Sequence, residues 1–432
     1  MQHFRLLLRW FAAAILSIGI LGQGALAAVQ VVIDADEMRT SPSPHRYIHG
    51  TILDDAKFQL LLPTTWNGKI MIFSRGFSGT EFSTDSWVPP ALAKGYAFAT
   101  SDEGWNRVTI VNEPEDSYYE SRQRLLELTL YVKERVVAQY GQAATRVLMT
   151  GGSNGGHHTK MMVEDFPLLF DGGIAGYGFN SQISMWGSMA TTIRNYDIIA
   201  PRINDIVTRR SSTRQWDPFT QPLSPPLTPE QIQALRNIYD IPAQLVDGFQ
   251  FNVGRWQGSE SQLRSQYSAL VGYLHDSMPR FDPTFNPDGG ALLDSELGQW
   301  RPELSPQWVK RELRKLDLSG YLERPVLIMH GTADPIVSPG EAAGYKALVE
   351  ARLGKTESEK LLALYYIPGM GHGGTQYNNL IGAQIDALEA WITYRQSGGT
   401  LGAPAPAFIG IYPREPAAGS DGAGLKETAG QR

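Results

Sequence analysis

The chain is 432 residues long, 42% hydrophobic and 19% charged, with 44 Gly and 27 Pro, an ordinary globular composition with apolar residues enough for a sizeable core. Lys and Arg number 38 against 44 Asp and Glu, a net charge of -6, which argues against nucleic acid or an anionic membrane surface as a partner. Cysteine is absent, and this excludes a thiol nucleophile, a thiolate metal site, any disulfide and a lipidated N-terminal Cys.

The first 27 residues, MQHFRLLLRWFAAAILSIGILGQGALA, set Arg5 and Arg9 ahead of a short apolar stretch and close on Ala25-Leu26-Ala27, the small-x-small form of a cleavage site. They predict a secretory signal cut after Ala27 rather than a membrane anchor. The unbroken apolar part, Trp10 to Leu21, is shorter than the roughly 20 residues a spanning helix needs. Cleavage removes two Arg and no acid, so the mature net charge becomes about -8. The product is expected in the periplasm or outside the cell, without stable membrane association.

After the signal, HRYIHGTI (45–52) and KFQLLLP (57–63) read as strands, followed by a strong strand from Lys69 to Ser74 after a turn at Asn67-Gly68 and another in GYAFATSD (95–102). Leu125, Leu128, Val132 and Val136 recur at three- and four-residue intervals, predicting a helix over 121–140 that Gly141 stops. RVLMT is then a buried strand, HHTKMMVEDFPLLF a helix ending near Pro167, and GGIAGYG a short strand. Strand, helix and strand in this order imply parallel pairing through a right-handed crossover.

From about Ser181 to Leu322 the alternation fades, Pro becomes frequent, and Trp186, Trp216, Trp256, Trp300 and Trp308 supply half of the ten tryptophans. This stretch reads as an inserted lid. The alternation resumes with RPVLIMHG (strand), GEAAGYKALVEARLG (helix), KLLALYYIPG (strand) and NNLIGAQIDALEAWITYRQSG (helix). The expected organisation is therefore a signal (1–27), a first core segment (28–180), the lid (181–322), a second core segment (323–412) and a disordered Ala- and Gly-rich tail (413–432). The fold class is α/β: one mostly parallel sheet with helices on both faces, interrupted once.

Gly151-Gly152-Ser153-Asn154-Gly155 matches G-x-S-x-G, a pattern that chance would produce roughly 0.3 times in a chain of this composition. Its setting carries more weight than the pattern. A strand precedes it and a helix follows, as required for a sharp turn that lifts a nucleophilic hydroxyl off the sheet edge. The helix N-terminus there can stabilise an oxyanion. A plain glycine-rich turn is the competing reading.

Seven histidines remain after signal removal: 45, 49, 157, 158, 275, 330 and 372. His372, in the glycine-rich loop IPGMGHGGT after a strand, follows the serine as the order of the α/β-hydrolase triad requires and is the expected general base. His157 and His158 lack the i, i+4 spacing of a helical metal site and read as structural or surface residues, His330 as a core histidine, and His275 as a possible substrate contact. The acid belongs after the strand that precedes the histidine's strand, which selects Asp334 in HGTADPIV over Asp317, the alternative. An oxyanion hole needs two donors, the amide of Asn154 and one from SRGFSG, where Gly76 and Phe77 are the candidates.

With these residues placed, the chain resembles the tannase and feruloyl esterase family of α/β-hydrolases. The similar segments are WNGKIMIFSRGFSG, GYAFATSDEGW, GGSNGG with FPLLFDGGIAG, and HGTADPIVSP with IPGMGHGG, together covering roughly 64–180 and 324–395. The resemblance implies Ser153, Asp334 and His372 as the triad, a lid inserted after the sixth strand, and esters of aromatic acids as substrates; some members act on phenolic esters and one on a terephthalate monoester. It also implies a cysteine pair flanking the site, but Gly152 and Gly373 stand at those positions, so the core strands are expected to hold both loops unaided. Fungal relatives hold calcium in the lid; Asp282, Asp288 and Asp294 match no calcium loop, and no metal or cofactor is expected.

The leading expectation is a secreted serine-dependent carboxylic-ester hydrolase acting on a small-molecule ester, with Trp186, Trp256 and His275 as candidate substrate contacts. A peptidase or a β-diketone hydrolase on the same scaffold is the second reading, separated by comparing ester, anilide and diketone turnover. A binding protein of the same fold without activity is the third, separated by whether a fluorophosphonate labels Ser153.

Overall fold

The computed structural model describes residues 30–406, apart from 54, 78, 85, 105–116, 203–204, 206–222, 240–267, 269–270, 273, 276–281, 288–289, 291, 332–333, 335 and 368–369. The expected signal and tail, Trp216, Trp256 and Asp288 lie outside the described residues.

Among the described residues, nine strands form one sheet: β1 (Val31–Arg39), β2 (His45–Ile52), β3 (Ala56–Pro63), β4 (Lys69–Ser74), β5 (Ala97–Ser101), β6 (Arg146–Gly152), β7 (Gly172–Gly176), β8 (Val326–Gly331) and β9 (Leu362–Ile367). Their spatial order is β1-β2-β3-β5-β4-β6-β7-β8-β9. The first three neighbouring pairs are antiparallel and the remaining five parallel, the mostly parallel mixed sheet expected of an α/β-hydrolase.

Among the described residues, the α-helices longer than four residues are α1 (Val88–Ala93), α2 (Ser117–Tyr140), α3 (Asn154–Asp165), α4 (Gln182–Ile199), α5 (Pro229–Tyr239), α6 (Gln307–Leu313), α7 (Pro339–Leu353), α8 (Lys355–Leu361) and α9 (Ile381–Gln396). They cover both faces, which is why the central strands are apolar throughout. In β4, Ile70 and Ile72 join the core under α2 and α3, whereas Met71 and Phe73 join a second core with Trp87, Leu388 and Trp391 under α9. Each such fully buried side chain stabilises the fold by about 1.5–3 kcal/mol. The four periodic residues of the α2 reading, Leu125, Leu128, Val132 and Val136, are all buried.

The core elements absent from the sequence reading include helix α1 and two others. Strand β1 is an extra N-terminal strand with mostly exposed side chains, so no apolar alternation announces it; it pairs with β2 through the backbone. Its presence makes the insertion follow the seventh strand of this chain rather than the sixth. Helix α8 is the other, a short polar helix with only Ser358 and Leu361 buried.

The described residues between β7 and β8 include the helices α4, α5 and α6. The first of them, α4, is capped by the Ser181 side chain, which accepts the Ile183 N–H at 3.2 Å. Met185, Trp186, Met189 and Ile193 of α4 pack into the same core cluster as Leu297, Trp300, Val309 and Leu313. That core continues the one under α2 and α3, so this part of the insertion is seated on the sheet.

Candidate active site

The parallel strands β4, β6, β7, β8 and β9 end on one edge of the sheet, and the loops leaving them build the site. At the end of β6, Ser153 takes φ 59° and ψ -122°, a strained conformation for a residue with a side chain. The turn packs against the end of β4: a Cβ at Gly151 would lie 2.4 Å, and one at Gly155 2.0 Å, from the Ser74 carbonyl oxygen. Only glycine fits either place. The Ser153 N–H donates to the Gly176 carbonyl at 3.0 Å, leaving the hydroxyl above the N-terminus of α3.

His372, in the loop after β9, brings Nε2 to 2.8 Å from Ser153 Oγ. On the other side of the ring, Nδ1 lies 2.8 Å from Asp334 Oδ2 and 3.0 Å from Oδ1. Asp334, in the loop after β8, is fully buried, and its Oδ1 accepts the N–H groups of Ile336 (2.9 Å) and Val337 (3.0 Å). These two amides fix the plane of the carboxylate, with both oxygens within reach of the imidazole. The three residues selected from the sequence thus form one chain of contacts, and Asp334 rather than Asp317 is the acid at the histidine.

His330 is the core residue expected. Its Nε2 donates to the Val337 carbonyl at 2.8 Å and lies 3.6 Å from Asp334 Oδ2. Burial lowers its pKa to about 4 despite the pull of the nearby carboxylate, so it stays neutral near pH 7 and supports the Asp334 loop without competing for its charge.

On the opposite side, the loop after β4 is held from behind by Arg75, which is fully buried. Its Nη1 donates to the carbonyls of Gly76 (2.8 Å) and Phe77 (3.0 Å), and its Nε donates to the Asp102 carbonyl at 2.9 Å. In a trans peptide the C=O and N–H point opposite ways. Turning the Gly76 carbonyl onto Arg75 therefore turns the Phe77 N–H away from it, toward the cleft that Phe77 lines.

Next to Arg75 lies a buried polar cluster. Ser74 Oγ donates to Glu103 Oε1 at 2.5 Å, and His158 Nδ1 lies 3.0 Å from Ser74 Oγ and 3.1 Å from Glu103 Oε2. Burial alone raises the pKa of Glu103, but His158, Arg75 and Ser74 outweigh it and hold the carboxyl below its ordinary range. His158 sits one helical turn after Asn154 and touches its amide, so the cluster ties α3 to both the β4 and β5 loops. Both His157 and His158 are fully buried; of the two roles expected for them, the structural one holds and the surface one does not.

Above Ser153 and His372 opens a cleft of about 310 Å³, near the lower end of small-molecule sites. Its lining is mixed: Phe77 and Phe179 from the core, Met185, Trp186 and Met189 from α4, and Ile336 and Val337 from the Asp334 loop are its apolar part, beside the polar Ser83, Ser153, Asn154, Tyr177 and His372. Trp186 is the one described lid tryptophan in this lining. Trp300 is buried behind it at 6.4 Å and Trp308 is 45% exposed, so neither lines the cleft. His275 is exposed and outside the lining of the cleft. Asp282 is taken up internally, accepting from Trp300 Nε1 at 3.0 Å and from the Thr284 and Ser305 hydroxyls.

Several residues around the site are absent from the sequence reading. Arg75 leaves a trace, a lone cation at the end of an apolar strand. Glu103 and Tyr177 leave none beyond their segments, because their positive φ values of 61° and 34° reflect packing between distant loops. The glycines expected to leave both loops unaided, Gly152 and Gly373, instead face the Tyr177 ring.

Comparison with known proteins follows this geometry. The family model described as tannase and feruloyl esterase matches residues 50–203 and 314–403, the two core segments that bear all these loops. An uncharacterized esterase of Agrobacterium fabrum is 22% identical over 413 residues, covering 79% of this chain and 74% of that protein. Among solved structures, feruloyl esterase B from Aspergillus oryzae is similar with a TM-score of 0.59 at 18% identity, covering 85% of this chain and 88% of that one. Tannin acyl hydrolase from Aspergillus niger is similar with a TM-score of 0.55 at 14% identity, covering 95% and 93%. At these identities the two structures speak for the fold.

Proposed function

The chain belongs to the tannase and feruloyl esterase family and is a carboxylic-ester hydrolase, and on that premise we propose that it cleaves esters of aromatic acids through an acyl-enzyme on Ser153. The observation that carries the reading is the imidazole of His372, in contact with Ser153 Oγ through one nitrogen and with Asp334 through the other. Neutral His372 takes the serine proton as the hydroxyl attacks the ester carbonyl. Asp334 holds the Nδ1–H tautomer and stabilises the imidazolium that forms. The backbone amides of Asn154 and Phe77 bind the tetrahedral oxyanion; Phe77 is favoured over Gly76 because Arg75 holds the Gly76 carbonyl on the far side. The imidazolium then gives its proton to the leaving alcohol. A water activated by the same histidine attacks the acyl carbonyl and frees the acid and Ser153. Side chains, backbone amides and water suffice for every step.

The flat and polarisable lining of the cleft supports an aromatic acyl group, in keeping with the feruloyl and tannin substrates named for the similar fungal enzymes. The insertion between β7 and β8 acts as the lid that supplies this specificity. The test is a panel of feruloyl, galloyl, terephthaloyl, plain aryl and short aliphatic esters with an anilide and a β-diketone, run on the protein and on Ser153→Ala. Aromatic acyl esters are expected to give the highest kcat/KM, and the variant to lose hydrolysis with its fold intact. Faster turnover of the anilide or the diketone contradicts the proposal, as does an active Ser153→Ala. Export completes the reading, and an N-terminus at Ala28 in protein from the extracytoplasmic fraction checks it; an intact N-terminus in the cytosol contradicts it.

A further inference from the structure

Tyr177 follows β7 directly and sits between the two loops whose separation the chemistry depends on. Its backbone N–H donates to the Met329 carbonyl of β8 at 2.8 Å, its φ is 34°, and the residue borders the cleft beside Ser153 and His372. The ring is buried. It meets the His372 imidazole edge to face at 5.0 Å and 73°, and the ring of Tyr377 at 5.1 Å and 84°. The residue before Ser153 and the residue after His372 are both glycines that abut this one ring. A Cβ at Gly152 would lie 2.3 Å from Tyr177 Oη, and a Cβ at Gly373 2.9 Å from the same atom. Neither contact is possible for real atoms, so a single phenol fills the space that side chains at both positions would otherwise share.

We propose that Tyr177 is a positioning residue: its ring is the spacer that sets the distance between the nucleophile turn and the histidine loop, and its edge fixes the plane of the His372 imidazole. The inference rests on Ser153 and His372 being nucleophile and base. The physical reason is steric. The histidine loop leaves β9, two strands away from β7, and Gly373 and Gly374, with φ of 74° and 108°, follow the base directly. An aromatic edge worth about 0.5–1.5 kcal/mol beyond its burial and a filled volume below the ring oppose its rotation away from Ser153 Oγ. Without the ring, the imidazole is free to sink into the gap, and a displacement of about 1 Å is enough to cost on the order of 100-fold in rate.

The distances also admit a substitute. Their sum caps the separation of the two Cβ positions at about 5.2 Å, a limit that leaves room for the ~3.5–4.5 Å that a disulfide spans. The cysteine pair that the family resemblance implies at residues 152 and 373 is therefore the brace to install once the phenol is gone, at a backbone cost at Gly373, whose φ of 74° strains any residue with a Cβ. Two thiols lose two protons and two electrons to an added disulfide oxidant such as oxidised glutathione, which is reduced to two thiols as the S–S bond forms.

The experiment compares the full protein with Tyr177→Phe, Tyr177→Ala and the triple variant Tyr177→Ala/Gly152→Cys/Gly373→Cys, with Ser153→Ala alongside, on one aryl ester. Tyr177→Ala is expected to lose about 100-fold in kcat with KM within about threefold, and Tyr177→Phe, which keeps the ring, to stay within about threefold in both. The triple variant, its bridge verified by mass, is expected to regain at least about tenfold in kcat when oxidised and to lose it on reduction. If Tyr177→Ala does not fold, Tyr177→Leu takes its place, alone and in the triple variant. A kcat left within threefold by removal of the ring overturns the proposal. So does a rise confined to KM, the mark of a substrate contact, or a formed bridge that restores nothing. Residual activity in Ser153→Ala is a different failure, that of the triad itself.

Discussion

Replacing Asp334 by Asn tests the arrangement at its most constrained point. The Ile336 and Val337 amides donate to Oδ1 at 2.9 and 3.0 Å, so the amide oxygen of the new side chain must occupy that place. Its NH2 is thereby forced into the position of Oδ2, which now lies 2.8 Å from His372 Nδ1. The amide oxygen at the Oδ1 place, 3.0 Å from Nδ1, stays an acceptor, but the shorter contact becomes donor against donor, which disfavours the Nδ1–H tautomer and shifts the imidazole proton toward Nε2, where N–H instead of a lone pair faces Ser153 Oγ. The base is lost while every packing contact is kept. In triads of this kind the wrong tautomer costs about 10⁴ in kcat, equivalent to ~5.5 kcal/mol of barrier. Steady-state kinetics on an aryl ester with far-UV circular dichroism and urea unfolding read the outcome. A folded variant with kcat within tenfold of the parent refutes the tautomer argument and with it the role of Asp334.

Arg75→Met frees the Gly76 and Phe77 carbonyls and lets the oxyanion loop rotate, and a loss of about 10²–10³ in kcat with little change in KM is expected; unchanged kcat contradicts it. His330 has a folded pKa of about 4 against 6.5 unfolded, so its stabilising contribution is complete above pH 6.5 and is lost as pH falls toward 4, by up to about 3 kcal/mol. His330→Gln keeps a donor for Val337 but does not titrate. Its urea-derived stability is expected to fall less between pH 7 and 4.5 than that of the parent, and parallel curves contradict this. Trp186→Ala removes a buried wall shared by the lid core and the cleft and is expected to cost about 3–5 kcal/mol; a loss under ~1 kcal/mol shows that the lid packs without it.

The sheet was legible wherever burial on both faces left a mark. Strand β4 runs from Lys69 to Ser74, as its apolar run between a turn and Arg75 implies, and β6 extends two glycines beyond RVLMT into the nucleophile turn. The three residues in contact, Ser153, His372 and Asp334, were legible because each stands in a short loop directly after a strand, so chain order and strand order together place them at one edge. What was hidden depends on contacts between loops far apart in sequence. Strand β1 is recruited by backbone pairing with exposed side chains, α8 is too polar and short to show a period, and the Glu103–His158 pair joins the loop after β5 to helix α3 beside the end of β4. Tyr177 in GYG reads as a strand-end aromatic until Gly152 and Gly373 are seen against its ring. Tryptophan number was a poor guide to the cleft, since Trp300 serves the lid core and Met185 and Met189 share the wall with Trp186.

The most direct measurement of the central claim, that one serine hydroxyl activated by His372 carries the acyl group, is covalent labelling with a fluorophosphonate followed by peptide mass mapping. The expected result is one adduct per chain, on the peptide bearing Ser153, formed at the rate at which hydrolysis disappears and absent from Ser153→Ala. Modification of a different residue, or hydrolysis that persists after Ser153 is fully modified, would contradict it.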